Sequence, residues 1–411
     1  MDSMTVKTKR TSPYVALQYR DYRLLWFGQL VSQVGSQMQQ VTINWHIYIL
    51  TGSAFALGLT GLMRVVPIVA FSLIGGVFAD AHDRKRVLLW TQSAMMIFAA
   101  ILGLVTSAGL ATPPLIYLLA ACTAAALAFD GPARQSLAPN LVPKEHLTNA
   151  LSLNSVMNRT ASIVGPGLVG FVIAWFGIAA VYWFNAASFL AVLIALVLMR
   201  TPTQKNLGAS KVTFAALAEG IRYARQSTIA FATMVLEFLA SFFASANALL
   251  PIFANEIFKV GPEGLGILYA AQPVGALIAG ATISFIGNVK RHGLIFLSAL
   301  IVYGLATVLY GGSQWFALSL VFLAFIGAAD ATSAIVRNTI RQLATPDNLR
   351  GRVQSLNMIF VMGGPQLGNL EAGIVAALFG APFSVISGGV ATVITVGLIF
   401  WLAPKVRDYR T

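Results

Sequence analysis

The sequence predicts an all-α integral membrane protein of twelve transmembrane helices, arranged as two six-helix pseudo-repeats. Three observations predict it. The 411 residues are 57% hydrophobic and only 10% charged, against about 25% charged in a soluble globular protein. Apolar runs of about 20 residues, the length that crosses a bilayer as a helix, recur along the whole chain. A spaced set of residues in the first half then returns in the second half at one constant offset.

The runs fall at 24–50, 54–79, 87–108, 114–139, 149–175 and 179–199, and after a polar break at 228–254, 263–287, 291–311, 315–343, 351–379 and 381–403. They divide the chain into a cytoplasmic or interfacial segment 1–23, a six-helix bundle 24–199, a linker 200–227, a second bundle 228–403 and a tail 404–411. In the linker, Phe214, Leu217 and Ile221 share a helical face while Glu219, Arg222 and Arg225 lie elsewhere. That pattern predicts a surface helix on the inner leaflet.

A net charge of +13 raises the question of a nucleic-acid partner, and the placement of the charge answers it. The turn after the second run, Gly75 to Val87, packs Arg84, Lys85 and Arg86 beside Asp80 and Asp83. Of the 27 Lys and Arg, all but Arg64, Arg159 and Lys259 lie in the N-terminal tail, the even-to-odd loops, the C-terminal tail or the adjoining helix ends. This is the positive-inside pattern, with both termini cytoplasmic. The partner expected is the lipid bilayer and not nucleic acid.

Other chemistries find no support. The single cysteine, Cys122, lies in an apolar run and excludes a disulfide framework or a Cys-based metal site. His46, His82, His146 and His292 are scattered without ligand spacing. No phosphate-binding Gly-x-x-x-x-Gly-Lys-Ser/Thr loop occurs, so no cofactor, ATP-driven step or enzymatic activity is expected. The basic N-terminus leads into a full-length span, unlike the short apolar core of a signal peptide.

The repeat is specific. Arg134, Pro143 and Ser152-Leu153-Asn154 return as Arg337, Pro346 and Ser355-Leu356-Asn357, each displaced by 203 residues. Leu57-Gly58 at the start of the second run is echoed by Leu265-Gly266 at the start of the eighth, and Asp80 by Asn288. Parallel six-span repeats about an axis normal to the membrane are a transporter architecture.

The residues of the basic turn resemble the signature loop of the major facilitator superfamily, Gly-x-Leu-Ala-Asp-Arg-x-Gly-Arg-Lys. Gly76, Ala79, Asp80, Arg84 and Lys85 match it in order, while Phe78, Ala81 and Asp83 depart from it. A Gly-Pro-x-x-Gly-Gly kink typical of exporters in that family is half matched by Gly165-Pro166-Gly167-Leu168-Val169-Gly170. The entry Tyr22-Arg23-Leu24-Leu25-Trp26-Phe27-Gly28-Gln29 and the stretch Leu265 to Ala271 with Pro273 and Gly275 are similar to the branch of enterobactin and macrolide exporters. The resemblance implies the major facilitator fold, a monomer in the bacterial inner membrane, and a small-molecule substrate exchanged against protons.

Ionisable groups at membrane depth are functional candidates, because charge there is costly. Asp130 and Arg159 lie at similar depth in sequential spans and are expected to pair. Arg64 and Glu371 lie about 12–15 Å from the outer face; the resemblance implies that spans 2 and 11 face each other, so these two are expected to form an outer gate. Asp80, with Arg350 or Arg352 and the dipole at the start of span 11, is expected to form an inner lock with Gly76, Arg84 and Lys85. Glu237 has no evident local partner and is the first candidate for proton coupling, followed by Asp330 beside Arg337 and by Asp130. In the first span Gln29, Gln33, Gln37 and Gln40 share a face by their spacing. With Asn44 and, from span 7, Asn247, they are expected to line an aqueous cavity; Trp45 and Phe243 are expected as aromatic contacts.

The expectation is a proton-coupled exporter of a small amphipathic molecule, a drug or a siderophore. An uptake symporter of the same fold is the first alternative, and a non-transporting receptor or scaffold the second.

Overall fold

The computed structural model describes residues 12–200, 227–245, 247–286, 291–346 and 350–409. The amphipathic helix expected in the linker lies outside these residues. Among them, twelve long helices follow in order: α1 (Arg20–Thr51), α2 (Ala54–Ala81), α3 (Arg84–Ser107), α4 (Pro113–Leu137), α5 (Leu147–Phe176), α6 (Ile178–Leu198), α7 (Thr228–Phe243), α8 (Gly261–Ile286), α9 (His292–Gly312), α10 (Phe316–Ala344), α11 (Arg350–Phe379) and α12 (Ala381–Leu402). No strand occurs among the described residues. All but α7 end within four residues of the apolar runs read from sequence.

Span 7 departs from that reading. The run 228–254 is continuous in hydropathy, yet α7 stops at Phe243 and the chain resumes as a 3-10 turn at Asn247–Leu249, a short helix at Leu250–Ile252 and a π-helical turn at Phe253–Ile257. Pro251 falls in the first turn of the helical piece that follows the break, the position where its missing N–H costs nothing. The Ser245 hydroxyl donates to the Pro365 carbonyl (3.1 Å), tying the break to α11.

Ten of the helical stretches are long and apolar enough to cross a membrane. The two that fall short, α1 and α11, are long enough but too polar. They carry the glutamine stripe in one case and Gln366, Asn369 and Glu371 in the other. Both pack among the other helices, α1 against α5 and α6, α11 against α2 and α7. The outer surface is apolar, with Trp175 and Trp315 exposed toward one end of the bundle and Trp90 and Trp401 toward the other. Such paired aromatic girdles mark the two interfaces of a bilayer.

The sequence repeat is a repeat of packing. In the first half α1 packs on α5 and α6, α2 on α4, and α3 on α4 and α6; the second half repeats this with α7 on α11 and α12, α8 on α10, and α9 on α10 and α12. Gly177 and Gly380, one repeat offset apart, join α5 to α6 and α11 to α12 with φ of 81° and 91°, values that a side chain disfavours. Two seams join the halves, α2 with α11 and α5 with α8. Each seam maps onto the other when the halves are exchanged, as a two-fold axis along the bundle requires.

The seams are closed by glycine. A Cβ on Gly373 would lie 2.6 Å from Gly58 Cα, and one on Gly266 would lie 2.6 Å from the Pro166 carbonyl oxygen. These contacts lie toward the face that carries the α1–α2 turn, the first-turn face; the ends of the described chain, Ser12 and Tyr409, lie at the opposite, terminal face. The core follows the same division. One apolar cluster joins all the helices except α7, whose place is taken by Leu249 to Ala254, and it sits toward the first-turn face. Toward the terminal face the clusters are separate, one around Leu25, Leu137 and Leu196 in the first half, another around Phe296, Ile340 and Val396 in the second.

Candidate functional site

The first half supplies a cavity of about 150 Å³. Gln33, Gln37, Gln40 and Asn44 of α1 line it, together with Thr60 and Arg64 of α2 and Arg134 of α4. The i, i+4 and i+3 spacing of the glutamines puts them on one helical face, and lipid contact for that face would leave the amides unsatisfied. Gln29 stands apart from its expected companions. It is buried, its amide nitrogen has no partner, and the lining begins at Ser32. Gln33 donates to Asn158 of α5 (3.3 Å). A second cavity, of about 270 Å³, is lined by Arg159 and Ser162 of α5 and by Asn247, Gln272, Tyr303 and Asp330 of the second half. The expected aromatic contacts lie elsewhere: Trp45 is buried in the core against Tyr48, and Phe243 packs on Phe242.

The charged groups pair differently from expectation. Asp130, fully buried, is bound by Arg134 one turn along the same helix and accepts from Gln92 (2.6 Å) and Thr91 (3.1 Å) of α3. The expected Asp130–Arg159 pair does not form, because Arg134 is nearer by construction. Glu237 is not an isolated carboxyl. It is 2% exposed and sits between Arg337, in direct ion-pair contact, and Arg341 (3.3 Å) of α10. Arg341 also binds Asn357 of α11 and Asn338. Asp330 lies 3.9 Å from Arg337, as its proximity in sequence suggests, with 58% of its side chain exposed.

Arg64 and Glu371 do not meet, although their helices form a seam. Gly58 approaches Asn369 and Gly373, and Gly61 approaches Gln366, so in this antiparallel pair Glu371 is level with the start of α2. Arg64 is displaced from it by about 10 Å along the axis. Arg64 instead donates to the Gln40 amide oxygen (3.2 Å).

The first-turn face is held by Tyr48, Asn255, Glu256 and Tyr269, which the sequence did not single out, together with Asn44 and Asn247, which it did. Tyr48 of α1 donates to Glu256 (2.7 Å) and accepts from Asn255 (3.2 Å), both in the π-helical turn. Asn44 donates to the Tyr269 hydroxyl of α8 (2.9 Å), which donates to the Asn247 carbonyl (2.7 Å). The bonds of Tyr48 and Asn44 cross between the halves.

At the terminal face the basic turn is anchored within the first half. Asp83 caps α3 by accepting from the Lys85 N–H (2.8 Å). The buried Arg84 donates to the Ser136 carbonyl at the end of α4 (3.0 Å), and Lys85 to the Met199 carbonyl beyond α6 (3.0 Å). Gly76, Asp80, Arg350 and Arg352 are described as helical backbone only, so the expected inner lock lies outside the described side chains. No group of metal-ligating side chains occurs among the described residues.

Residues 11–409 match the profile of the family described as transmembrane secretion effector. The chain is 27% identical over 392 residues to the enterobactin exporter EntS of Salmonella typhi, covering 95% of this chain and 94% of that one. It is 26% identical over 394 residues to its counterpart in Shigella boydii, covering 95% and 93%. Among solved structures, the nucleoside transporter NupG superposes with a TM-score of 0.70 at 14% identity, covering 94% of this chain and 98% of that one. A bacterial homologue of the human lysosomal transporter Spinster, inward-facing and unoccupied, superposes with a TM-score of 0.74 at 14% identity, covering 95% and 98%.

Proposed function

The chain belongs to the transmembrane secretion effector family of the major facilitator superfamily, and from that premise we propose that this transporter exports a siderophore or a similar small amphipathic molecule. The observation that carries the reading is the end-to-end match to enterobactin exporters, which spans nearly all of both chains.

The transport cycle is alternating access. In this state the halves are joined at the first-turn face by the glycine seams and by the Tyr48 and Asn44 hydrogen bonds. Their cores are separate at the terminal face. With the terminal face cytoplasmic, as the basic residues argue, this is the inward-facing state that loads substrate from the cytoplasm of a bacterial inner membrane. Export then requires the first-turn seal to open.

A proton gradient supplies the driving force. Asp330 is the carboxylate that a proton reaches directly from the second cavity. Glu237 and Asp130 are enclosed by arginines, and protons reach them only after those pairs part. Arg159, facing Asp330 across the same cavity, is a candidate for sensing its charge.

Everted membrane vesicles carrying the protein test this reading. With an imposed pH gradient they accumulate a siderophore or dye, and a protonophore abolishes the accumulation. Proton-driven uptake by intact cells, with no accumulation in everted vesicles, would reject export in favour of symport.

A further inference from the structure

Arg64 is a half-buried cation at membrane depth. It sits ten residues into α2, about 15 Å from the first-turn face, and its one hydrogen-bond partner is the neutral amide of Gln40. Among the described residues it enters no ion pair. Each neighbouring carboxylate is accounted for: Asp130 is bound by Arg134, Thr91 and Gln92, and Glu371 is displaced along the seam.

A charge partly drawn out of bulk water is stabilised by an opposite charge, and among the described residues no carboxylate pairs with Arg64. It faces the first cavity instead. The remaining polar lining there is neutral, Gln37, Gln40, Asn44 and Thr60, apart from Arg134. The cavity thus holds two guanidinium groups, and the carboxylate that offsets one of them is fully buried behind it.

We propose that this cavity binds the acidic head group of the substrate, an organic carboxylate on a single ring, with Arg64 as the residue that recognises its charge. A guanidinium donates two parallel N–H groups to a carboxylate, the geometry that favours arginine over lysine for this task. Gln40 holds the side chain toward the cavity, and Asn44 supplies a neutral polar neighbour. A cavity of about 150 Å³ holds one aromatic ring, so a larger substrate places one arm here and its remainder along the open part of the interior. The inference rests on the export reading only in taking the bound molecule to be cargo.

The test compares an acid with its uncharged isostere. Purified full-length protein in lipid nanodiscs is titrated with 2,3-dihydroxybenzoate, 2,3-dihydroxybenzamide and tetraphenylphosphonium. The acid is expected to bind about tenfold more tightly than the amide, the difference that one charge-assisted contact provides. In Arg64→Gln the ratio falls to about one, and Arg64→Lys keeps part of it. Because the ratio is read, a general loosening of the variant, which weakens acid and amide together, does not imitate the result. Equal binding of acid and amide to the wild type, a ratio that survives in Arg64→Gln, preference for the cation, or no binding of the acid overturns the proposal. Failure of vesicle transport with the ratio intact rejects export and leaves the anion site standing; loss of the ratio with transport intact does the reverse.

Discussion

Asp130 shows what one buried carboxylate requires. With none of its surface exposed, it accepts from Thr91 and Gln92 and pairs with Arg134. Removing one partner of such a pair leaves the other charge uncompensated, at a cost of about 3 kcal/mol. Asp130→Ala is therefore expected to unfold at a markedly lower temperature in detergent, while the double change Asp130→Asn with Arg134→Gln recovers a large part of the loss. Equal destabilisation in both would show that packing, not charge, dominates the site. The four-residue spacing of Asp130 and Arg134 was readable as a same-face pair; the expectation of Arg159 gave weight to equal depth and overlooked that rule. Glu237 was less accessible. Its partners lie about a hundred residues away on α10, and no local pattern links them. What was readable is that Arg337 and Arg341 share an i, i+4 face near the terminal end of α10.

At the scale of elements, the helices were legible because hydropathy determines where a chain crosses lipid. The break in span 7 was not, because the run 228–254 is continuous in hydropathy. Pro251 lies just past the break but does not by itself mark it, since Pro67, Pro132, Pro166, Pro273 and Pro365 sit inside unbroken helices; the consequence of the break is local, in that the π-helical turn Phe253–Ile257 carries the Asn255 and Glu256 that bond Tyr48. π-helical turns within helices often occur at such working positions. Tyr48→Phe removes a hydrogen bond to a carboxylate that is itself exposed, worth about 1 kcal/mol here. The expected effect is about a fivefold rise in the rate at which a membrane-impermeant thiol reagent, added from the first-turn face, labels a cysteine placed at Thr60 in a Cys122→Ser background. Glu256→Gln in the Tyr48→Phe background should add little further, since the two act through one bond; additive effects would mean that each holds the seal separately. Gly373→Leu acts more strongly, because its Cβ meets the α2 backbone at 2.6 Å and backbone does not give way as a side chain does. Labelling from the first-turn face is expected to become fast and substrate-independent, and vesicle transport to cease. A Gly373→Leu protein that labels at the wild-type rate would show that the α2–α11 seam has slack.

The whole molecule is organised by a repeat and by a charge asymmetry, and both are carried by particular residues. The displacement of 203 residues that relates Arg134 to Arg337 also relates Gly177 to Gly380, and the packing of α1 to α6 recurs in α7 to α12. The charge asymmetry sets orientation. With Arg64, Arg159 and Lys259 the exceptions among 27 cations in the sequence, the positive-inside rule predicts a cytoplasmic terminal face. Alkaline phosphatase, active only outside the cytoplasm, is expected to be active when fused after Gly109 and inactive when fused after Thr411, and green fluorescent protein to show the opposite. The cations of the basic turn should differ in what their loss does. Arg86 is exposed, and Arg86→Gln is expected to leave both reporters unchanged, because the other cations of that face still outweigh the opposite one. Arg84 and Lys85 bind the carbonyls of Ser136 and Met199. Replacing both with Gln is expected to lower the amount of folded protein by unfastening α3 from α4 and α6 while the reporters keep their orientation. Reversed reporters in that double variant would mean that the turn acts mainly through its charge, and its contacts with α4 and α6 would then be incidental to its position.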